Sequence, residues 1–347
     1  MAMADEVKKP QHFKTEKKAK KSFKEAFIPN KNDSPKELAS KIFSLFSILV
    51  LVVCLVILGV YFYQQFEAVQ NNEDIRIIYN QAAQKDEPEV TVTEAPVVTD
   101  KETQEIVRQP LKVSSAAEEM LAINKNYAGY LYIPDVLSEA VVQCEDNEYY
   151  LDHNIYDQKR SCGTVYADFR NNVNDYRDLQ SDNIILYGHN QKDGTMFGNM
   201  DYYKWDYKYW LKNPFIYFDN LYESGTYVII SSFVTNTEPE HDNGNVFDYN
   251  NYVNFQKEGT YTYEGFIDEI TKRSHFITGI DVNEDDKFLT LSTCAYEWEE
   301  ARHVIIARRL RPGETEDSID TTNFTVNSNP KWPAIYYKYN GGSYVEQ

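Results

Sequence analysis

The chain has 347 residues, with 54 Asp and Glu against 35 Lys and Arg, and a formal net charge of −19. That acidic balance excludes a nucleic-acid-binding role, which needs a basic footprint. The 28 Tyr and 18 Phe supply large packing area of the kind a β-rich core uses.

Residues 1–41 carry 11 Lys against 6 Asp or Glu, so this tail is +5 and everything after Lys41 is −24. Ile42 to Tyr63 follows without a charge, in 22 residues dominated by Leu, Val, Ile and Phe. As a helix this stretch spans roughly 33 Å, enough to cross a bilayer. Its Ser44 and Ser47 can bond back to helix carbonyls. A cleaved signal peptide fits poorly, because the charged region before it is long and Gly59-Val-Tyr-Phe-Tyr-Gln offers no small-x-small site. Segment 42–63 therefore reads as a signal-anchor helix. The lysines before it place the N-terminus in the cytoplasm and the rest outside a single-pass membrane protein.

Residues 64–112 are polar, without a sustained period, and read as an extracellular stalk. The folded domain is expected over 113–311. Ser115 and Glu118 have capping-box spacing ahead of Met120, Leu121 and Tyr127. Strand-like runs then recur at 130–133, 140–143, 163–169, 183–187, 226–234, 276–280, 287–293 and 303–309, separated by turn signals such as Pro134-Asp135 and Asp193-Gly194. Segment 266–272 reads as a helix. The pattern predicts a mostly β domain, an antiparallel barrel or sandwich. Residues 312–347 extend beyond the last strand, and Trp332, Tyr336, Tyr337 and Tyr339 imply that they pack against the domain.

Of four cysteines, Cys54 lies in the apolar helix, while Cys144 and Cys162 are spaced so that a disulfide is permitted. Cys294 is left over. It ends the strand-like run Phe288–Thr293; residues 295–301 form a loop, and Arg302 opens the next strand. Two antiparallel strands joined this way can bring Cys294 and Arg302 side by side. A cation near the sulfur favours thiolate, and its forked donors suit an oxyanion. The alternative for Arg302 is a surface pair with Glu299 or Glu300. His189 follows the apolar strand 183–187 and a glycine; His303 neighbours Arg302 but points to the opposite face if Arg302 faces the site. Thiol, imidazole and guanidinium together make an acyl-transfer site. No metal cluster, phosphate loop or nucleotide fingerprint accompanies them.

At these residues the chain resembles a known family. Leu289-Thr-Leu-Ser-Thr-Cys294 is similar to the signature of the sortase transpeptidases, and Tyr187-Gly-His-Asn190 to their catalytic-His strand. The stretch from Asn183 to Gly198, Asp146-Asn-Glu-Tyr-Tyr-Leu151 with His153, and Gly163-Thr-Val-Tyr-Ala-Asp-Phe-Arg-Asn171 resemble class B members. The resemblance covers about residues 115–311 and implies an eight-stranded sortase barrel with peripheral helices, preceded by the one transmembrane helix. It also implies that Cys294 attacks a sorting motif of NPxT or PxTG type, that His189 moves protons, and that Arg302 stabilises the oxyanion or positions substrate. Tyr187, Asn171, Ser292 and Thr293 would contact the peptide. No cofactor or metal is implied.

The expected partners are secreted proteins bearing a sorting signal, the bilayer through 42–63, and an amine from a peptidoglycan precursor of a Gram-positive wall. A pilin Lys as acceptor, a plain hydrolytic protease and a non-catalytic tethered binding module are the rival readings. Three departures from the family stand out: a short spacing from Cys294 to Arg302, the cysteines at 144 and 162, and the C-terminal extension. Asn329-Pro-Lys-Trp has Trp where a sorting motif needs Thr, so self-sorting is not expected.

Overall fold

The computed structural model describes residues 24, 27–85, 98–99, 106–107 and 110–344; most of the Lys-rich tail and much of the expected stalk lie outside the described residues. The chain divides into two units, residues 1–64 and 65–347. Helix α1, Pro35–Ala83, begins in the first. Its start is a capping box: the Glu37 amide donates to Ser34 Oγ, and the Ser34 amide donates to Glu37 Oε2 at 3.1 Å. Ser47 Oγ bonds back to the Phe43 carbonyl at 2.9 Å, as its place in an apolar helix requires. The helix is long and apolar enough to cross a membrane.

In the second unit the segment read as stalk starts differently. Residues 65–83 continue α1, and Ile75 and Ala82 are buried at the helical spacing of one face, with Tyr79 beside them. Tyr79 stacks on Tyr130 at 3.8 Å, and Arg160 pairs with Glu67 at 3.0 Å. Arg76, Asn80 and Gln81 around these positions are exposed, which hides the seam from a composition-based reading. Strands β1 (Val98–Thr99) and β2 (Ile106–Val107) form a separate two-stranded sheet. Helix α2 runs over Ser115–Ile123, one residue earlier than a Ser115 cap would start it, because Ser114 is the N-cap and accepts from the Ala117 amide at 3.1 Å.

Eight strands close a barrel: β3 (Tyr127–Ile133), β4 (Leu137–Val142), β5 (Val165–Ala167), β6 (Asn183–Tyr187), β7 (Phe215–Asn220), β8 (Ser224–Asn236), β10 (Phe288–Cys294) and β11 (Ala301–Arg309), in the order β10-β11-β8-β7-β3-β4-β5-β6. All neighbours are antiparallel except β4 with β5 and β6 with β10. The barrel strand absent from the sequence reading is β7, whose alternation is obscured by the aromatic helices α3 (Tyr202–Trp205) and α4 (Tyr207–Lys212) just before it. The run expected at 276–280 is instead a short strand, β9 (Phe276–Ile277), outside the barrel.

Period-2 alternation sorts the barrel residues into two layers. Leu289 and Leu291 of β10, Ile305 and Ala307 of β11, and Ile184 and Leu186 of β6 fill the interior. Phe288, Val304 and Ile306 face outward, where Phe266 and Ile270 of α5 (Tyr263–Arg273) and the rings of Phe247, Tyr249 and Tyr252 cover them. The C-terminal extension is part of the same fold. Strand β12 (Thr325–Val326) pairs with β9, Phe324 enters the barrel core cluster, and α6 (Ala334–Asn340) follows.

Candidate active site

The same alternation decides what lies on the outer wall of β5, β6, β10 and β11. Even-numbered Ser292 and Cys294 share the outward face of β10, and their register partners Val304 and Arg302 share it on β11. Cys294 is the last residue of its strand and is exposed. Across the parallel pairing Ser292 is level with Tyr187, so two residues further on Cys294 comes level with His189. Two contacts hold the chains together there: Thr293 Oγ1 donates to the Gly188 carbonyl at 2.7 Å, and Asn190 Nδ2 donates to the Cys294 carbonyl at 2.8 Å. The ends of β6, β10 and β11 thus bring His189, Cys294 and Arg302 to one rim of the barrel wall.

His189 donates from Nε2 to the carbonyl oxygen of Leu151 at 2.7 Å. A carbonyl can only accept, so that nitrogen carries the hydrogen and Nδ1 is the one able to exchange a proton. Leu151 closes a 3₁₀ turn, Tyr149–Leu151, and this backbone group is the orienting partner that no spacing argument had identified. Arg302 donates to Glu300 Oε2 at 3.1 Å and to the Ala301 carbonyl at 3.0 Å, so the surface pair with Glu300 is formed. His303 points into the barrel interior, fully buried; burial drives its pKa far below the usual histidine value and Ser232 Oγ lies 2.9 Å from Nε2.

The four residues expected to touch a peptide have other occupations. Asn171 is buried and substitutes for a strand partner. Strand β5 covers only Leu186 and Tyr187 of β6, and the Asn171 amide continues the edge, accepting from Ile185 N and donating to the Asn183 carbonyl, both at 2.8 Å. Ser292 shares a 2.7 Å hydrogen bond with Tyr249, and Thr293 is engaged on Gly188. Tyr187 donates to Asp168 at 3.0 Å. The polar atoms of Asn171, Ser292 and Thr293 thus help to hold the wall together. Burial raises the hydroxyl pKa of Tyr166, Tyr187 and Tyr249, so all three line the wall as neutral phenols. Smaller influences of opposite sign from Cys294 and Arg302 act on Tyr166 and Tyr249, which places both rings within their electrostatic reach. Burial opposes ionisation of Asp168, yet the bidentate Arg170 guanidinium outweighs it and holds the carboxyl below its usual value.

Sequence reasoning also passed over the brace around Cys294. Asn190 bonds Asp201 at 2.9 Å as well as Cys294, and Lys204, almost fully buried, bonds Asp201 at 3.1 Å and Glu297 at 2.6 Å. Tyr296 OH donates to the Asn190 carbonyl at 2.9 Å. The adjacency of Asn190 to His189 was the available signal. Cys144 and Cys162 are both free thiols, so the permitted disulfide is not formed.

An outward thiol on such a barrel defines a class, the sortase-type cysteine transpeptidases, and the comparisons with known proteins agree. The chain is 30% identical over 198 residues to sortase B of Staphylococcus aureus and 28% identical over 197 residues to sortase B of Listeria monocytogenes, in each case over 56% of this chain and 74% of the relative. A solved Staphylococcus aureus sortase B–substrate complex superposes with a TM-score of 0.55 at 25% identity, covering 72% of this chain and 98% of that one. Bacillus anthracis sortase B, crystallised with AAEK1, shares the fold with a TM-score of 0.54 at 24% identity, over 72% and 99% of the two chains. No family model matches. The chain belongs to the sortase B family and is a cysteine transpeptidase.

Proposed function

We propose that this protein is a membrane-anchored sortase that cleaves a C-terminal sorting motif on secreted proteins through a Cys294 thioester and transfers them to a cell-wall amine. The single observation behind the assignment of roles is the register of Cys294 with Arg302 next to His189, on an exposed wall.

The chemistry divides into two transfers. The Cys294 thiolate, its proton passed to His189, attacks the carbonyl carbon of the motif's Thr; a C–S bond forms and the oxygen takes the negative charge. The Arg302 guanidinium, leaving Glu300, donates to that oxyanion. The C–N bond then breaks, and the departing amine takes its proton from His189. An incoming amine gives a proton back to His189, attacks the thioester carbonyl, and displaces the thiolate. Acyl energy stored in the thioester lets an amine compete with water. Asn171, Ser292 and Thr293 act as positioning residues, and Tyr187 contributes a phenol edge to the peptide wall.

The apolar helix at 42–63 and the lysines before it support a bilayer anchor with the N-terminus in the cytoplasm and the catalytic unit outside. A solved sortase B–substrate complex and another sortase B complexed with triglycine support a sorting peptide and an amine as the two partners. The test is mass spectrometry of the full chain with NPxT- and PxTG-type peptides, with and without triglycine or a Lys-bearing acceptor, and Cys294→Ala as blank. Amine-dependent ligated product, absent from the blank, is expected. Cleavage that ignores added amine, or that survives in the blank, overturns the proposal.

A further inference from the structure

The six residues between Cys294 and Ala301 join two residues assigned to chemistry, so the placement of Arg302 depends on how this loop is held. Its two ends are fixed by the Ala295 amide donating to the Ala301 carbonyl at 2.9 Å. Its first half is fixed by Tyr296 on Asn190 and Glu297 on Lys204. The centre, Trp298, turns inward and is 5% exposed, with no hydrogen bond at its indole nitrogen. What it packs against is the C-terminal extension. Trp332 and Tyr336 stack on each other at 4.2 Å and 9°, and Trp298 meets both edge-to-face, at 6.5 Å and 6.3 Å. Ile335 completes a cluster with Ala295, Trp298 and Ala301, so the flanks of Cys294 and Arg302 share one small apolar core with the extension.

The extension is itself tied to the barrel. The Ala334 amide donates to the buried Asp242 carboxylate at 2.8 Å, Lys331 Nζ bonds Glu269 at 2.8 Å, and the Asn327 amide donates to the His275 carbonyl at 2.9 Å. Trp332 also packs on His275 at 4.6 Å. This is the occupation of the Asn-Pro-Lys-Trp sequence: its Trp is a packing group.

We infer that the C-terminal extension is a clasp for the transpeptidase loop, with Trp332 and Tyr336 as positioning residues that seat Trp298 and thereby set Arg302 beside Cys294. The inference rests on the proposed role of Arg302. Edge-to-face pairs of this kind are modest in energy, but a displacement of about 1 Å at a reacting centre costs up to ~100-fold in rate. The clasp therefore affects turnover more than folding.

The experiment compares the full chain with Trp332→Ala, Trp332→Phe and Tyr336→Ala, measuring kcat and KM for a cleaved sorting peptide, the alkylation rate of Cys294 by iodoacetamide, and Tm. Trp332→Ala and Tyr336→Ala are expected to lower kcat by about tenfold or more with KM within about twofold, while Trp332→Phe recovers most of it. Alkylation of Cys294 is expected to change much less than kcat, because β6 and β10 still hold the thiol in place and only the guanidinium moves. Unchanged kcat in both alanine variants overturns the inference, as does a loss of kcat matched by an equal change in alkylation and a collapsed Tm. Should Trp332→Ala not fold, Tyr336→Ala carries the test. Wild-type protein that turns over no peptide overturns the proposed function instead, so the two failures are distinct.

Discussion

Asn190 Nδ2 lies 2.8 Å from the carbonyl oxygen of Cys294, joining the residue after the histidine to the backbone of the candidate nucleophile. The same amide reaches Asp201 at 2.9 Å, so one side chain locks the ends of β6 and β10 to the segment that leads into α3. Asn190→Ala is expected to lower stability by about 1–2 kcal/mol, leaving the Asp201 and Cys294 acceptors without this donor. It should also reduce kcat/KM by at least about tenfold through loss of the His189–Cys294 alignment. Paired denaturant titration and peptide-cleavage kinetics check this; wild-type kinetics in a destabilised variant would contradict it.

The Arg302–Glu300 pair is partly exposed on both sides and holds the guanidinium in its resting position. Such pairs contribute about 0–1 kcal/mol, so Glu300→Gln should leave Tm nearly unchanged. Removing the competing carboxylate should raise the rate of acylation by about two- to fivefold at low salt. Arg302→Ala should lower kcat by about 100-fold or more, and Arg302→Lys should recover only part, because the fork is lost. Single-turnover acylation rates decide between this and a purely structural pair, for which Arg302→Ala would leave acylation unchanged.

Glu139 is buried between α1 and the loop after His189, accepting from Asn72 Nδ2 at 3.1 Å and from the Met196 amide at 3.2 Å. Burial raises its pKa from 4.5 to about 7, against the lowering effect of the Met196 amide. An acid with a raised folded-state pKa favours folding fully below its unfolded pKa and loses that contribution as pH climbs through the folded value. Stability should therefore fall by about 3 kcal/mol as pH rises from about 4.5 to above 7. Glu139→Gln should flatten that part of the profile. Calorimetric Tm across this pH range for both proteins is the measurement, and identical slopes would refute the assignment to Glu139.

Gly198 closes the loop that begins at His189. A Cβ there would stand 2.0 Å from the Gln191 carbonyl oxygen, and that atom is backbone. The loop must open to admit it, so Gly198→Ala should cost about 1–3 kcal/mol and should shift His189 off Leu151. The expected result is a lower denaturant midpoint together with loss of cleavage; wild-type values for both would show that the loop yields freely.

Several parts of this protein were legible without coordinates. The charge-free run 42–63, the β-rich domain, α5 and the Cys294–Arg302 hairpin follow from local pattern, because alternation and helical spacing are properties of neighbouring residues. The opposed faces of Arg302 and His303 are a one-residue consequence of strand geometry, and the structure has them so. Other features escaped for the same reason. Asn171 carries no local mark of standing in for a strand, since the gap it fills exists only once β5 proves too short for β6.

The sequence by itself determined the anchor-like helix, the strand content, the family resemblance and the choice of candidate thiol, imidazole and guanidinium, all of which are written in short-range composition and spacing. Tertiary structure alone decided that the stalk's first residues are a packed helix, that Leu151 orients His189, and that the C-terminal aromatics seat Trp298. Those contacts join residues far apart in the chain, and their partners are chosen by barrel closure, which no local period encodes.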